Sequence, residues 1–215
     1  MGGYGLPRWG NLRRTTPFSS NYGFERGTPI DRYSLDQFLS TRRDVITGDV
    51  LEVQTNDYTK RFGHRIASAE TFDIVPQFSP TYLCDFAHCG DTIPSHASDC
   101  LLLPNALPHF RELDLALAHA LRVVRPGGII LASAAGLLPL TADAPDYWRL
   151  SPDGWRERLE TAWPDATIEI DGRGNCLTAI AAQLGLALEE LTGTQLDVQD
   201  PRYPVLTTIF CRTPR

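Results

Sequence analysis

Apolar and polar positions along this chain switch between two periods. Gly48-Asp49-Val50-Leu51-Glu52-Val53 is a compact apolar run entered from a glycine, and it reads as a strand. Arg65 to Ala67 and Thr71 to Val75 form a second extended region, and Thr81 to Cys84 a short third strand ending at Asp85. Asp99-Cys100-Leu101-Leu102-Leu103-Pro104 is apolar without alternation, as a strand covered on both faces of a parallel sheet must be. From Phe110 to Val124 the period changes. Phe110, Leu113, Leu117, Leu121 and Val124 recur at spacings of three and four and predict a helix. Arg125-Pro126-Gly127-Gly128 stops it, and Ile129 to Ser133 is the next strand. Asp31 to Leu39 and Trp155 to Trp163 read as helices, Leu177 to Leu191 as a longer one, and Val205 to Cys211 as a last strand.

Strands that alternate with helices predict an α/β fold: a doubly wound, mostly parallel sheet with helices on both faces. In such sheets ligands bind beyond the carboxyl ends of the strands, where strand order reverses. Gln54 to Tyr58, Asp85, Pro104 to His109 and Ser133 to Gly136 would gather there.

The 215 residues suit one domain, residues 29–215, behind an aperiodic arm rich in Gly, Pro and Arg at residues 1–28. A net charge of −6 lacks the basic footprint of a nucleic-acid binder. No apolar run approaches the roughly 18 residues of a membrane span, and Met1 to Gly10 lacks the apolar core of a signal peptide. The five cysteines, Cys84, Cys89, Cys100, Cys176 and Cys211, are odd in number and show no CxxC pairing. That pattern fits reduced thiols in a cytoplasmic protein. His88 beside Cys84 and Cys89 makes one cluster where a zinc site needs two ligand pairs, so no metal is expected.

The order Val50-Leu51-Glu52-Val53, Asp85, Ser98 to Leu103, then Leu121 to Gly128 ending in Arg-Pro-Gly-Gly, resembles the class I S-adenosylmethionine-dependent methyltransferases. A narrower resemblance runs from about residue 22 to 212, to a bacterial group met beside sugar and natural-product enzymes. It rests on Gly23 to Tyr33, Asp57 to Gly63, Asp146 to Pro152, Gly174-Asn175 and Asp200 to Leu206. The resemblance implies S-adenosylmethionine held by Glu52, by the turn at Gln54, by Glu70 or Asp73 on the ribose hydroxyls, and by Asp85 near the adenine. It also implies a glycine-rich turn after the first strand, where the backbone approaches the cofactor closely. Here that turn reads Gln54-Thr55-Asn56-Asp57-Tyr58, with no glycine before Gly63.

Three functions follow as expectations. The first is a small-molecule methyltransferase of secondary metabolism, with His109 as base and Tyr147 and Arg149 on the substrate. The second is the same fold without its cofactor, closing a small ring by intramolecular displacement of a sulfate or phosphate ester. Asp85 or His109 would then take the proton, and Arg61 or Arg149 would meet the leaving group. The third is a non-catalytic subunit, as a homodimer or with a second protein. Tyr58, Arg61, Asn105, Asp146, Tyr147, Trp148 and Arg149 are the expected substrate contacts. Asp146 to Arg149 could equally anchor a loop by packing. Arg26, Asp31, Arg32 and Tyr33 would form an N-terminal flap or an internal salt bridge.

Overall fold

The computed structural model describes residues 8–141 and 144–215. Its centre is one sheet of seven strands: β1 (Gly48–Val53), β2 (Ile66–Asp73), β3 (Tyr82–Leu83), β4 (Ser98–Leu103), β5 (Val124–Ala135), β6 (Thr167–Arg173) and β7 (Leu206–Arg212). The order is β3-β2-β1-β4-β5-β7-β6. The first five strands are parallel, and β7 runs antiparallel to β5 and to β6. Order reverses between β1 and β4, so a crevice opens at their carboxyl ends.

Side-chain alternation divides the core. Leu51, Leu101, Leu103 and Ile130 face α3 (Leu113–Val123) and α4 (Pro152–Ala162), where Trp155 and Trp163 are buried. Val50, Cys100, Leu102 and Leu131 face α1 (Ile30–Thr41), through Leu35, Phe38 and Leu39. This double burial explains the unbroken apolar run of β4. The short α2 (Asp57–Phe62) follows β1 on the α1 face. The connection from β2 to β3 holds only a 3₁₀ turn, Pro76–Phe78. A cavity of about 380 Å³ lies there, lined by Gln54, Thr55, Asn56, Lys60, Thr71 and Thr81 among others.

The expected helix from Leu177 to Leu191 is corrected. α5 covers Cys176–Gln183, and Leu188–Glu190 is a separate 3₁₀ turn. Gly185 breaks the helix with φ +67°, and a Cβ there would stand 2.3 Å from the Ser19 carbonyl. The segment from Arg125 to Gly128 does not separate helix from strand, because β5 already begins at Val124. β6 and the small helix α6 (Gly193–Asp197) were not expected.

The arm lies against the segment after α5. Phe18 N–H donates to the Leu184 carbonyl at 2.7 Å, and Pro29 forms a bridge with Ala187. Arg26 pairs with Glu190, and the Thr28 hydroxyl donates to Glu189 at 2.8 Å. These contacts lead the chain into the first turn of α1, at the carboxyl edge of the sheet.

Candidate functional site

Four segments meet at that edge: the first turn of α1, α2, the turn after β4, and β5. Asp31 is 5% exposed. Its Oδ2 accepts from Asn105 Nδ2 at 2.9 Å. Asn105 Oδ1 accepts from the Ser133 hydroxyl at 3.1 Å, and Ser133 Oγ accepts from the Asn105 backbone N–H at 2.8 Å. A carboxylate only accepts, so these partners fix the orientation of the Asn105 amide. Asn105 has φ +53°, a conformation that asparagine tolerates better than most residues.

Next along α1, Arg32 donates to the Tyr58 hydroxyl at 3.1 Å and lies 3.9 Å from Asp31 Oδ2. Burial pulls the Arg32 guanidinium down, but Asp31 and Tyr58 outweigh it, so its pKa is raised. Burial pushes the Tyr58 phenol up, against the opposing pull of Arg32. Sequence reading named Tyr58 and Asn105 as substrate contacts and placed Asp31 and Arg32 in a flap. Ser133 carried no assigned role.

The loop after β1 is held from below. Glu52, 1% exposed, accepts from the backbone N–H of Tyr58 at 3.1 Å. It also accepts from Thr59 through its N–H at 2.8 Å and its hydroxyl at 2.6 Å. Both carboxylate oxygens therefore cap the start of α2. Burial raises the Glu52 pKa despite these donors. Gln54 takes φ +70°, a left-handed conformation that glycine adopts freely and glutamine does not.

The other expected residues are spread along the edge. Asp73 ends β2, and its Oδ1 accepts from the Val75 N–H at 2.6 Å. Glu70 lies within β2 and accepts from the Tyr82 hydroxyl at 2.9 Å. Asp85 caps a 3₁₀ turn, accepting from the Ala87 N–H at 3.0 Å. Its strand, β3, is three strand spacings from β4, about 14 Å. His109 Nδ1 meets the Pro145 carbonyl at 2.8 Å. A carbonyl only accepts, so Nδ1 carries the proton and a neutral ring keeps the Nε2 lone pair.

Asp146 to Arg149 acts as an anchor. Arg149 pairs with Asp146 and donates to the carbonyls of Gly136, Leu138 and Pro139 at 2.9, 3.2 and 3.1 Å. Trp148 Nε1 donates to the Phe110 carbonyl at 2.7 Å, and the Tyr147 N–H to that of Pro108 at 2.8 Å. Together they fasten the chain after β5 to the turn after β4. Arg61 pairs with Asp36 of α1 and sits 4.9 Å over the Phe62 ring. The Arg149 guanidinium is engaged within the fold, and that of Arg61 ties α2 to α1.

Among the described residues no group of three His, Cys, Asp or Glu side chains is placed to hold a metal. His88 pairs with Glu112, and Cys89 Sγ receives Arg122 at 3.4 Å. No described helix is long and apolar enough to cross a membrane.

No family model matches this chain, and no curated protein matches it. Solved structures do. An S-adenosylmethionine-dependent methyltransferase from Mesorhizobium loti superposes with TM-score 0.59 at 12% identity, covering 85% of this chain and 99% of its own. The complex of the Haloferax volcanii Trm112 methyltransferase activator with its methyltransferase gives 0.57 at 15% identity, covering 86% and 92%. The [4+2]-cyclase SpnF gives 0.53 at 15% identity, covering 93% and 86%. The chain has the class I methyltransferase fold.

Proposed function

We propose that this chain closes a small ring in a natural-product precursor by intramolecular nucleophilic displacement, without S-adenosylmethionine. An amine or hydroxyl of the substrate attacks a carbon of the same molecule that bears a sulfate or phosphate ester. The new C–N or C–O bond forms as the ester C–O bond breaks. The ester oxygen leaves with the electron pair, and the nucleophile's proton passes to a base at the sheet edge. His109 Nε2 fits that role, because Nδ1–H donates to the Pro145 carbonyl. Catalysis is mainly alignment of nucleophile and carbon.

The observation that carries this reading is the loop after β1. Gln54 occupies a left-handed position with φ +70°, where the methyltransferase turn has glycine, and both oxygens of Glu52 cap α2. The resemblance implies that the backbone of this turn approaches a cofactor closely, which glycine allows better than glutamine does, and the Glu52 carboxylate is already engaged. The fold likeness to a [4+2]-cyclase supports ring formation on this scaffold.

The fold's methyltransferase neighbours support methyl transfer as the second reading, in which Glu70 or Asp73 would meet the ribose. The Haloferax complex with an activator supports a partner subunit. A panel of amino- and hydroxyalkyl sulfates and phosphates, assayed for sulfate or phosphate release with cyclic product, separates the chemistries. Release with ring closure and no added cofactor supports the proposal. Turnover only with S-adenosylmethionine, yielding methylated product, removes it.

A further inference from the structure

Asp31 and Arg32 form a loosely coupled pair of opposite charges at the edge where substrate would bind. Their closest approach, 3.9 Å from Nη1 to Oδ2, is an ion pair with no hydrogen bond between them. The Asp31 side chain is only 7% exposed, and each of its oxygens has a distinct environment. Oδ2 is held by Asn105. Oδ1 has no partner among the described residues. The sealed, unpartnered side-chain oxygens there belong to Asp36, Asp146 and Thr207, so Oδ1 of Asp31 is one that solvent reaches. Arg32 has one hydrogen bond, to Tyr58, and its Nε and Nη2 donors have no partner among the described residues. These free groups of opposite charge meet solvent side by side, where a ligand bearing both charges can displace it.

We infer that Asp31 and Arg32 are the two charged contacts of the substrate, which carries an ammonium and an anionic oxyester on neighbouring carbons. Asp31 Oδ1 receives the amine, and Arg32 receives the ester oxygens through its free donors. The Ser133–Asn105 chain acts as positioning machinery, turning the Asp31 carboxylate so that Oδ1 faces outward. The inference rests on the displacement reading and deepens it, because a carboxylate here selects an amine over a hydroxyl as nucleophile. Arg61 and Arg149, the cations expected from sequence, are replaced by Arg32.

The test is binding, read separately from turnover. 2-Aminoethyl sulfate, ethyl sulfate and inorganic sulfate are titrated into the intact protein and followed by calorimetry and amide chemical shifts. Wild-type protein is expected to bind 2-aminoethyl sulfate at least about tenfold more tightly than ethyl sulfate. Asp31→Asn removes that advantage without weakening sulfate binding, which loss of a neighbouring negative charge favours, and Arg32→Gln abolishes binding of all three. Ser133→Ala leaves the Asn105 N–H and Oδ1 without their partner and lowers the melting temperature, yet it keeps the fold by circular dichroism and weakens only the amine-bearing probe. Equal affinity for the amino and plain esters, or sulfate binding that survives Arg32→Gln, overturns the inference. Binding as described without ring closure in any assay leaves this site standing and removes the displacement reading. Ring closure unaffected by Asp31→Asn does the reverse.

Discussion

Asn105 donates its side-chain amide to Asp31 Oδ2 at 2.9 Å, joining two residues separated by 74 positions in the chain. Through this bond the turn after β4 grips the first turn of α1. Ser133 of β5 locks the amide from the other side. Asn105→Ala leaves the buried carboxylate without its donor and puts alanine at a positive φ. It is expected to cost about 2 kcal/mol in urea unfolding with an unchanged m-value. A change below about 0.5 kcal/mol would mean the bond contributes little.

Glu52→Gln keeps the size of the side chain but presents an NH₂ group to donors. The N–H groups of Tyr58 and Thr59 and the Thr59 hydroxyl all point at its carboxylate. The variant is expected to lose about 1–3 kcal/mol and to fray α2, read as faster amide exchange at residues 57–62. Because burial raises the Glu52 pKa, ionising it is harder in the fold than in the unfolded chain. Its contribution is full below the unfolded value and declines as pH rises through the raised one. Glu52→Gln flattens that part of the stability profile.

Gln54→Gly relieves a left-handed conformation at φ +70°. Stability is expected to stay level or rise by up to about 1 kcal/mol, since the relief is offset by a more flexible unfolded chain. Gln54→Val, β-branched at the same angle, is expected to lower the melting temperature. Neither change creates methyl transfer.

Arg149 holds three carbonyls and a carboxylate that is 4% exposed. Arg149→Ala is expected to cost about 3 kcal/mol, because Asp146 is left buried and unpaired. Arg149→Lys recovers only part of the loss, since an ammonium cannot span the same set of acceptors. Chemical denaturation of both variants checks the ranking.

The parallel core was legible because its signals are local. The apolar run of β4 and the three-and-four spacing of α3 each sit within a dozen residues. The Leu177 to Leu191 helix misled because its break depends on a distant partner: Gly185 admits the Ser19 backbone of the arm. Candidate residues drawn from one loop were readable as a group, yet their engagement was not. Nothing in Asp146-Tyr147-Trp148-Arg149 reveals that the guanidinium is turned onto Gly136, Leu138 and Pro139. Asn105 and Ser133 were placed at one sheet edge from the sequence, and Asp31 in a flap or salt bridge, but the hydrogen bonds that join the three were not readable, because topology alone sets their contact. Gln54 was the exception, since a missing glycine in a motif is visible without a structure.

The arm's latch adds a pH dependence with a defined sign. Hydrogen bonds from Arg26 hold the Glu190 carboxyl below its ordinary value, and those from Thr28 do so for Glu189. The latch is therefore complete above the unfolded carboxylate pKa of about 4.3 and is lost as pH falls through the lowered values. Hydrogen exchange across residues 18–28 should accelerate in that acid window before the sheet responds.

Absence of a cofactor role is the central claim, and calorimetric titration with S-adenosylmethionine and S-adenosylhomocysteine tests it most directly. The account predicts no saturable heat for either compound up to millimolar concentration. Saturable micromolar binding, with S-adenosylhomocysteine seated over Glu52 and Gln54 in a solved complex, would contradict it.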